Sequence, residues 1–489
     1  MRKVSIFAGE TSVFRKLGYN TFTNSNIRNK NNVNHYSNSK NYNNYRDKKP
    51  DKISTFNSRK SFDFIKNTKE TNGKIIQIAL EPTISLLKKT GFPRELIDAV
   101  IFSSCSSDQY LSSIISEILG IKPKISHRID NLCNSGTNAI ISAYSYIASG
   151  LCDSALVIGA ELYDSPGRVL SSDISRGQFN LPIYWGAILK KMHMNKYGTK
   201  EEQICTIPVN NYLKAKHNQI AINHGKNLTL SQVMNSKLLV EPLRLLECCL
   251  ICEGASSILL IANDKISFYK SKLGHENLRK KISSEDGSNL YNFTDDKKEK
   301  SQKEIIPICI KGLGQQNNSA SFGNAFDTLF LSSPARKAAN QAYEMAGIKP
   351  NDIDVVELHD AFSILEIMAY EDLGFVNTGK GGRFVEKKDP NIYINPRGGI
   401  LGCGHPLGAT GIAQTVEIFK QLSGTINDKY NSQISYNMLP DKSSKKNTSL
   451  HKQIEIESHD RQIRSDIKLG LVHNLAAAGT SASILILEK

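Results

Sequence analysis

Two short segments carry residue types suited to acyl chemistry. "CNSGTNAIISAYSYIASG" opens with Cys133, and "HPLGATGIAQTVEIFKQLSG" opens with His405. Placing Cys133 on His405 puts Gly136 on Gly408 and Ile140 on Ile412. Both segments then run at helical periodicity to a glycine, Gly150 and Gly424. A nucleophile and a base at matching places, each opening a core helix, suit covalent catalysis. A helix N-terminus offers unbonded N–H groups and a partial positive charge. A thiol there is expected to ionise more readily. The same N–H groups can receive the oxyanion of an acyl group carried on its sulfur.

The surrounding chain repeats itself as well. "TGFPRELIDAVIF" (Thr90 to Phe102) matches "AGIKPNDIDVVEL" (Ala346 to Leu358), with Gly91 on Gly347 and Asp98 on Asp354. "GASSILLIA" (Gly254 to Ala262) resembles "GTSASILIL" (Gly479 to Leu487). Helical stretches alternating with short apolar runs predict a duplicated α/β fold built of βαβ units. The halves are expected at 1–265 and 304–489, joined by a polar stretch at 266–303. If the halves meet about a pseudo-twofold axis, the two helix starts converge on one site.

The chain has 489 residues and a net charge of +15. Much of that charge falls in an Asn/Lys/Ser/Tyr tract at about 20–62, and a similar tract lies at about 427–465. Such tracts bury too little apolar surface to offset their ordering entropy and read as disordered insertions. The charge therefore argues for no nucleic-acid partner. No apolar run is long enough for a membrane span. "MRKVSIFAG" lacks the apolar core of a secretory signal, and the nine cysteines follow no disulfide framework. The expected compartment is cytoplasmic, with a mitochondrial or other organellar address open. Cys248, Cys249 and Cys252 lack the partners of a zinc site, so no metal is expected.

Taken in order, "NLCNSGTNA", "MNKYGTKEEQ", "VEPLRLLECC", "ELHDAF", "NPRGGILGCGHPLGATG" and "HNLAAAGTSAS" resemble the thiolase family, especially its sterol carrier protein-type and archaeal-like members. The resemblance implies a five-layered αβαβα fold, a homodimer, and an acyltransferase of lipid metabolism acting on acyl-CoA and acetyl-CoA, with no permanently bound cofactor. It implies that Cys133 carries the acyl group and that His405 activates it. His359 of "HDAF" would then help bind the thioester oxygen. Backbone N–H groups near Cys133 and in "HNLAAAG" would hold the acyl carbonyl. A loop region at about 161–240 would cover the site, with Arg168, Arg176, Lys190 and Lys191 as cations that could face CoA phosphates.

The pattern departs from the family at one function. Making or breaking a C–C bond beside a thioester needs a second acid/base group. The family's CxG cysteine is replaced here by "HNLA", and the cysteine of its HDCF variant by Ala361. Cys403 could supply the thiol, or merely fit a tight bend. His473 could supply an imidazole, or only support the site. Asp360 reads as the N-cap of the helix that follows it. Two other readings stand beside the thiolase one. One is a catalytically weak relative that binds acyl-CoA or scaffolds a partner enzyme. The other is a ketoacyl synthase fed by acyl-carrier protein.

Overall fold

In the computed structural model, residues 2–16, 72–164, 181–273, 305–318, 333–387, 392–426 and 466–489 are described. The Asn/Lys-rich stretches lie outside them. The polar stretch at 266–303 is described only over 266–273, which is helical, with Tyr269 buried against Phe92.

The sequence repeat becomes a repeat of strand order. The first half contains β1 (Val4–Thr11), β2 (Ala99–Ser103), β3 (Ile125–Ile129) and β4 (Ser154–Glu161). A small two-stranded pair follows, β5 (Leu238–Val240) and β6 (Leu243–Arg244), and then β7 (Gly254–Ala262). The second half contains β8 (Ile308–Asn317), β9 (Val355–Glu357), β10 (Tyr393–Ile394), β11 (Leu469–Ala476) and β12 (Ser481–Glu488). The sheet order is β10-β9-β11-β12-β8-β1-β7-β4-β2-β3. Outward from the central β1–β8 pair, each half repeats one pattern. Two antiparallel pairings are followed by two parallel ones, β1·β7·β4·β2·β3 and β8·β12·β11·β9·β10.

Matching residues do matching work. Gly91 and Gly347 end equivalent helices, α1 (Asn72–Thr90) and α5 (Pro334–Ala346), with φ of 64° and 66°. Glycine takes that left-handed conformation without the penalty a Cβ brings. Asp98 accepts a hydrogen bond from the Asp153 N–H just ahead of β4. Asp354 accepts from the Lys468 and Leu469 N–H groups at the start of β11.

Side-chain alternation along the strands divides the core into layers. Val100, Phe102, Leu156, Ile158, Leu259 and Ile261 face α1 on the outer side of the first half. Ala99, Ile101, Val157, Ile258 and Leu260 face inward, as do Val355, Val472, Leu485 and Leu487 of the second half. Between those inner faces lie α2 (Ser135–Ala148) and α8 (Leu407–Ser423). The outer face of the second half, including Val356, Leu471, Ile484 and Ile486, packs against α5 and α6 (Ser363–Asp372). The succession is helix, sheet, helix, sheet, helix.

The two inner helices cross backbone to backbone. A Cβ on Gly136 would stand 3.0 Å from the Ile412 nitrogen, and one on Gly411 would stand 2.7 Å from the Thr137 nitrogen. This crossing brings both helix starts to one place. An ordinary helical Gly→Ala substitution gains about 1 kcal/mol of helix propensity. Here the backbone contact outweighs that gain. Gly411→Ala is expected to lower stability by about 1–3 kcal/mol, read as a reduced urea midpoint at unchanged slope.

Candidate active site

Cys133 sits in a 3-10 turn, Leu132–Asn134, that runs directly into α2. Leu132 has φ of 49°, a left-handed conformation that costs a residue with a side chain about 1–2 kcal/mol. A local network holds it there. The Leu132 N–H donates to Asp130, the Asn131 N–H donates to Ser135 Oγ, and that hydroxyl donates to the Leu132 carbonyl at 2.6 Å. Asn134 Nδ2 donates to Ser481 and Ser483 on β12, which fastens the turn to the second half of the fold. Ser481 follows the short "AAG" turn, Ala477–Gly479, of the terminal segment.

His405 lies between α7 (Gly399–Cys403) and α8. Its N–H donates to the Leu250 carbonyl at 2.8 Å, and its ring is 2% exposed. The Thr410 hydroxyl donates its only proton to the Pro406 carbonyl, so towards His405 Nδ1, at 2.8 Å, it can only accept. The neutral imidazole therefore carries its proton on Nδ1 and presents a bare lone pair at Nε2. That nitrogen is buried with no hydrogen-bond partner among the described residues.

His359 stands at the end of β9, 3% exposed, with its ring centroid 5.3 Å from that of His405 in an edge-on arrangement. One donor atom from each of Cys133, His359 and His405 lies within 4.8 Å of the others. His473, on β11, accepts the His359 N–H at Nδ1 over 3.4 Å. Its lone pair is spent on that bond, so its proton sits on the buried Nε2. His473 thus positions His359 and has no base to offer. Asn474 donates to Gln414 on α8, and Gln414 donates to the Leu358 carbonyl beside His359, which ties the three elements together.

Burial governs the protonation of the site. It pushes the Cys133 thiol up to about 12, opposed by a backbone N–H and reinforced by Glu161. The expected easing of ionisation by the helix N-terminus is overridden, because desolvation of the thiolate is the larger effect. His405 is pushed down to about 3 by burial, with the Arg397 cation adding to it. Burial likewise holds His359 well below the usual imidazole range and pushes His473 down to about 3. The resting pair is a neutral thiol beside a neutral imidazole. Thiolate forms only as pH rises towards the raised thiol value. Alkylation of Cys133 by iodoacetamide is therefore expected to climb about tenfold per pH unit from pH 7 to 10. A plateau from pH 6 upward, read by peptide mapping, would instead signal a thiolate–imidazolium pair.

Cys403 stands apart from this group. Its thiol donates to the Arg397 carbonyl at 3.0 Å and packs in a separate cluster with Phe14, Ala215 and Cys252. Asp360 is indeed a helix cap, but not of the helix that follows it. α6 begins at Ser363 with Phe362 as its N-cap, whereas the Asp360 carboxylate accepts from the Ile400 and Leu401 N–H groups of α7. Lys190 is fully buried against Glu247 at 2.8 Å. Arg168 and Arg176 lie outside the described residues.

Two residues at the site escape sequence reasoning. Glu161, at the end of β4, accepts from Gly408 N–H at the start of α8 and from Cys105 N–H, at 3.0 and 2.9 Å. It neutralises the very helix start that follows His405. Cys249 donates its N–H to the Ala361 carbonyl at 2.9 Å, two residues ahead of the His405 bridge at Ile251. Burial raises its thiol well above the ordinary value, and the neighbouring thiols of Cys248 and Cys133 add to that rise. The signal for Cys249 was its place opposite the vacant Ala361, which only the fold reveals.

Residues 64–224 match the thiolase N-terminal domain, and residues 314–437 match the thiolase C-terminal domain-like family. The chain is 29% identical over 427 residues to the acetyl-CoA acetyltransferase of Methanothermobacter thermautotrophicus, covering 84% of this chain and 93% of that protein. It is 31% identical over 318 residues to sterol carrier protein 2 of Oryctolagus cuniculus, 60% of this chain and 52% of that protein. Human mitochondrial 3-ketoacyl-CoA thiolase in complex with CoA shares the fold at TM-score 0.57 and 14% identity, over 100% of this chain and 98% of that one. The Ltp2-ChsH2(DUF35) aldolase does so at TM-score 0.66 and 16% identity, over 99% and 97%. The chain belongs to the thiolase family of acyltransferases.

Proposed function

We propose that the chain forms or cleaves 3-ketoacyl-CoA through a covalent acyl–Cys133 intermediate. The observation that supports this best is the convergence of Cys133, His359 and His405 within 4.8 Å at the start of two crossing helices. His405 Nε2 takes the thiol proton as sulfur attacks the thioester carbonyl carbon. The tetrahedral oxyanion is received by backbone N–H groups. Its collapse expels CoA thiolate, which recovers the proton from His405 and leaves a neutral acyl-enzyme. In synthesis, acetyl-CoA then loses an α-proton to a base, and the enolate carbon displaces Cys133 from the acyl group. His359 faces the enolate oxygen. Degradation runs the same steps in reverse.

In this reading the α-proton passes to the thiolate of Cys249, whose own proton has first been lost to solvent. Cys403 is turned to Arg397, and the lone pair of His473 is occupied, whereas Cys249 flanks both the "HDAF" turn and the His405 loop. Cys249→Ala is expected to slow α-proton exchange of acetyl-CoA by about a hundredfold or more, while Cys403→Ala leaves it near the wild-type rate. Equal exchange rates in wild type and Cys249→Ala would remove Cys249 from the mechanism.

Substrate range follows from a thiolysis assay over 3-ketoacyl-CoA chain lengths, with ping-pong kinetics expected. The rival reading, an acyl-CoA-binding or scaffolding protein, draws on the high thiol value and the vacant family cysteines. It predicts acylation of Cys133 without turnover. Dimeric association and a cytoplasmic location belong to the same proposal. Among the described residues, no helix is long and apolar enough to cross a membrane.

A further inference from the structure

We infer that the Cys133, His359 and His405 group is also a binding site for a soft divalent cation of the zinc type, and that its occupation reversibly shuts the enzyme off. The shut-off rests on the acyl-transfer reading; the binding does not. A thiol and two imidazoles are the donors that zinc prefers, and three protein ligands leave the open fourth position of non-structural zinc sites. In a tetrahedral site with bonds of about 2.0–2.3 Å, neighbouring ligand atoms stand about 3.3–3.6 Å apart. The three donors here already lie within 4.8 Å of one another, so closing on a cation asks each pair to approach by at most about 1.2–1.5 Å.

A second observation points to a ligand independently of that spacing. His405 Nε2 and His359 Nδ1 are both buried and lack any hydrogen-bond partner among the described residues. The Thr410 hydroxyl, itself fixed on Pro406, holds the His405 proton on Nδ1 and leaves the Nε2 lone pair free. An outer partner that sets the tautomer of a histidine ligand is a regular feature of metal sites. His473 fixes the backbone of His359 in the same way. On binding, the Cys133 S–H bond breaks, its proton passes to solvent, and the thiolate and both imidazoles donate lone pairs to the cation. The nucleophile and its base are withdrawn in one step, with no change of oxidation state.

Cobalt(II) is the probe, because a thiolate ligand gives it a near-ultraviolet charge-transfer band. Titration of the full, reduced chain is expected to give this band at one cobalt per chain. Cys133→Ser is expected to lose it, and Thr410→Val to weaken binding by about tenfold to a hundredfold. Saturating zinc should displace the cobalt and protect Cys133 from alkylation, with a chelator restoring it. An undiminished band in Cys133→Ser, or full alkylation of Cys133 under saturating zinc, would overturn the inference. Metal-free labelling of Cys133 by acetyl-CoA separates the two claims. A chain that acylates but binds no cobalt at Cys133 defeats the metal site alone. A chain that binds cobalt there but never acylates defeats the acyl-transfer reading alone.

Discussion

Cys133→Ala is expected to abolish acyl transfer while leaving the fold intact, with a loss of about 10⁴-fold or more in turnover. The loss is large because the nucleophile splits one hard step into two, and the described site has no second thiol in its place. Cys105 and Cys249 lie nearby, but neither occupies the turn at the start of α2. Fold retention follows from the small volume removed and from the turn being held by Asp130, Ser135 and Asn134, not by the thiol. Thiolysis of acetoacetyl-CoA beside circular dichroism checks both halves of this expectation.

His405→Ala is expected to cost nearly as much, about 10⁴-fold, or about 5.5 kcal/mol of transition-state stabilisation. The role lost is that of the base. With the thiol pushed up to about 12, thiolate is scarce at neutral pH unless a neighbour removes the proton during attack. His405 Nε2 is the bare, buried lone pair fitted for that. Raising the pH supplies thiolate directly and so replaces that role. The defect of His405→Ala should therefore shrink between pH 7 and 10 in the acylation half-reaction. A defect of equal size at both pH values in acylation would mean that His405 is not the base.

What could be read in the sequence was what the chain states twice. Gly91 and Gly347, Asp98 and Asp354, and Cys133 and His405 each announce one another by position, and each pair holds equivalent places in the two half-sheets. Local signals of this kind survive because turn chemistry and helix starts depend on neighbours in the chain. What escaped depends on partners far away in sequence. Asp360 caps a helix some forty residues on. Lys190 is neutralised by Glu247 on another element. Cys403 lies two residues from His405 yet is turned away by a helix end. The thiol's ionisation was expected from one helix start, but the burial imposed by two packed halves decides it.

The most direct measurement is peptide mass spectrometry of the chain quenched after a single mixing with acetyl-CoA, followed by a chase with free CoA. One acetyl group is expected on the peptide carrying Cys133, removed by the chase at the rate of turnover, and no acetyl group on Cys133→Ala. Acetyl on another cysteine, or turnover that proceeds with Cys133 unlabelled and dispensable, would contradict it.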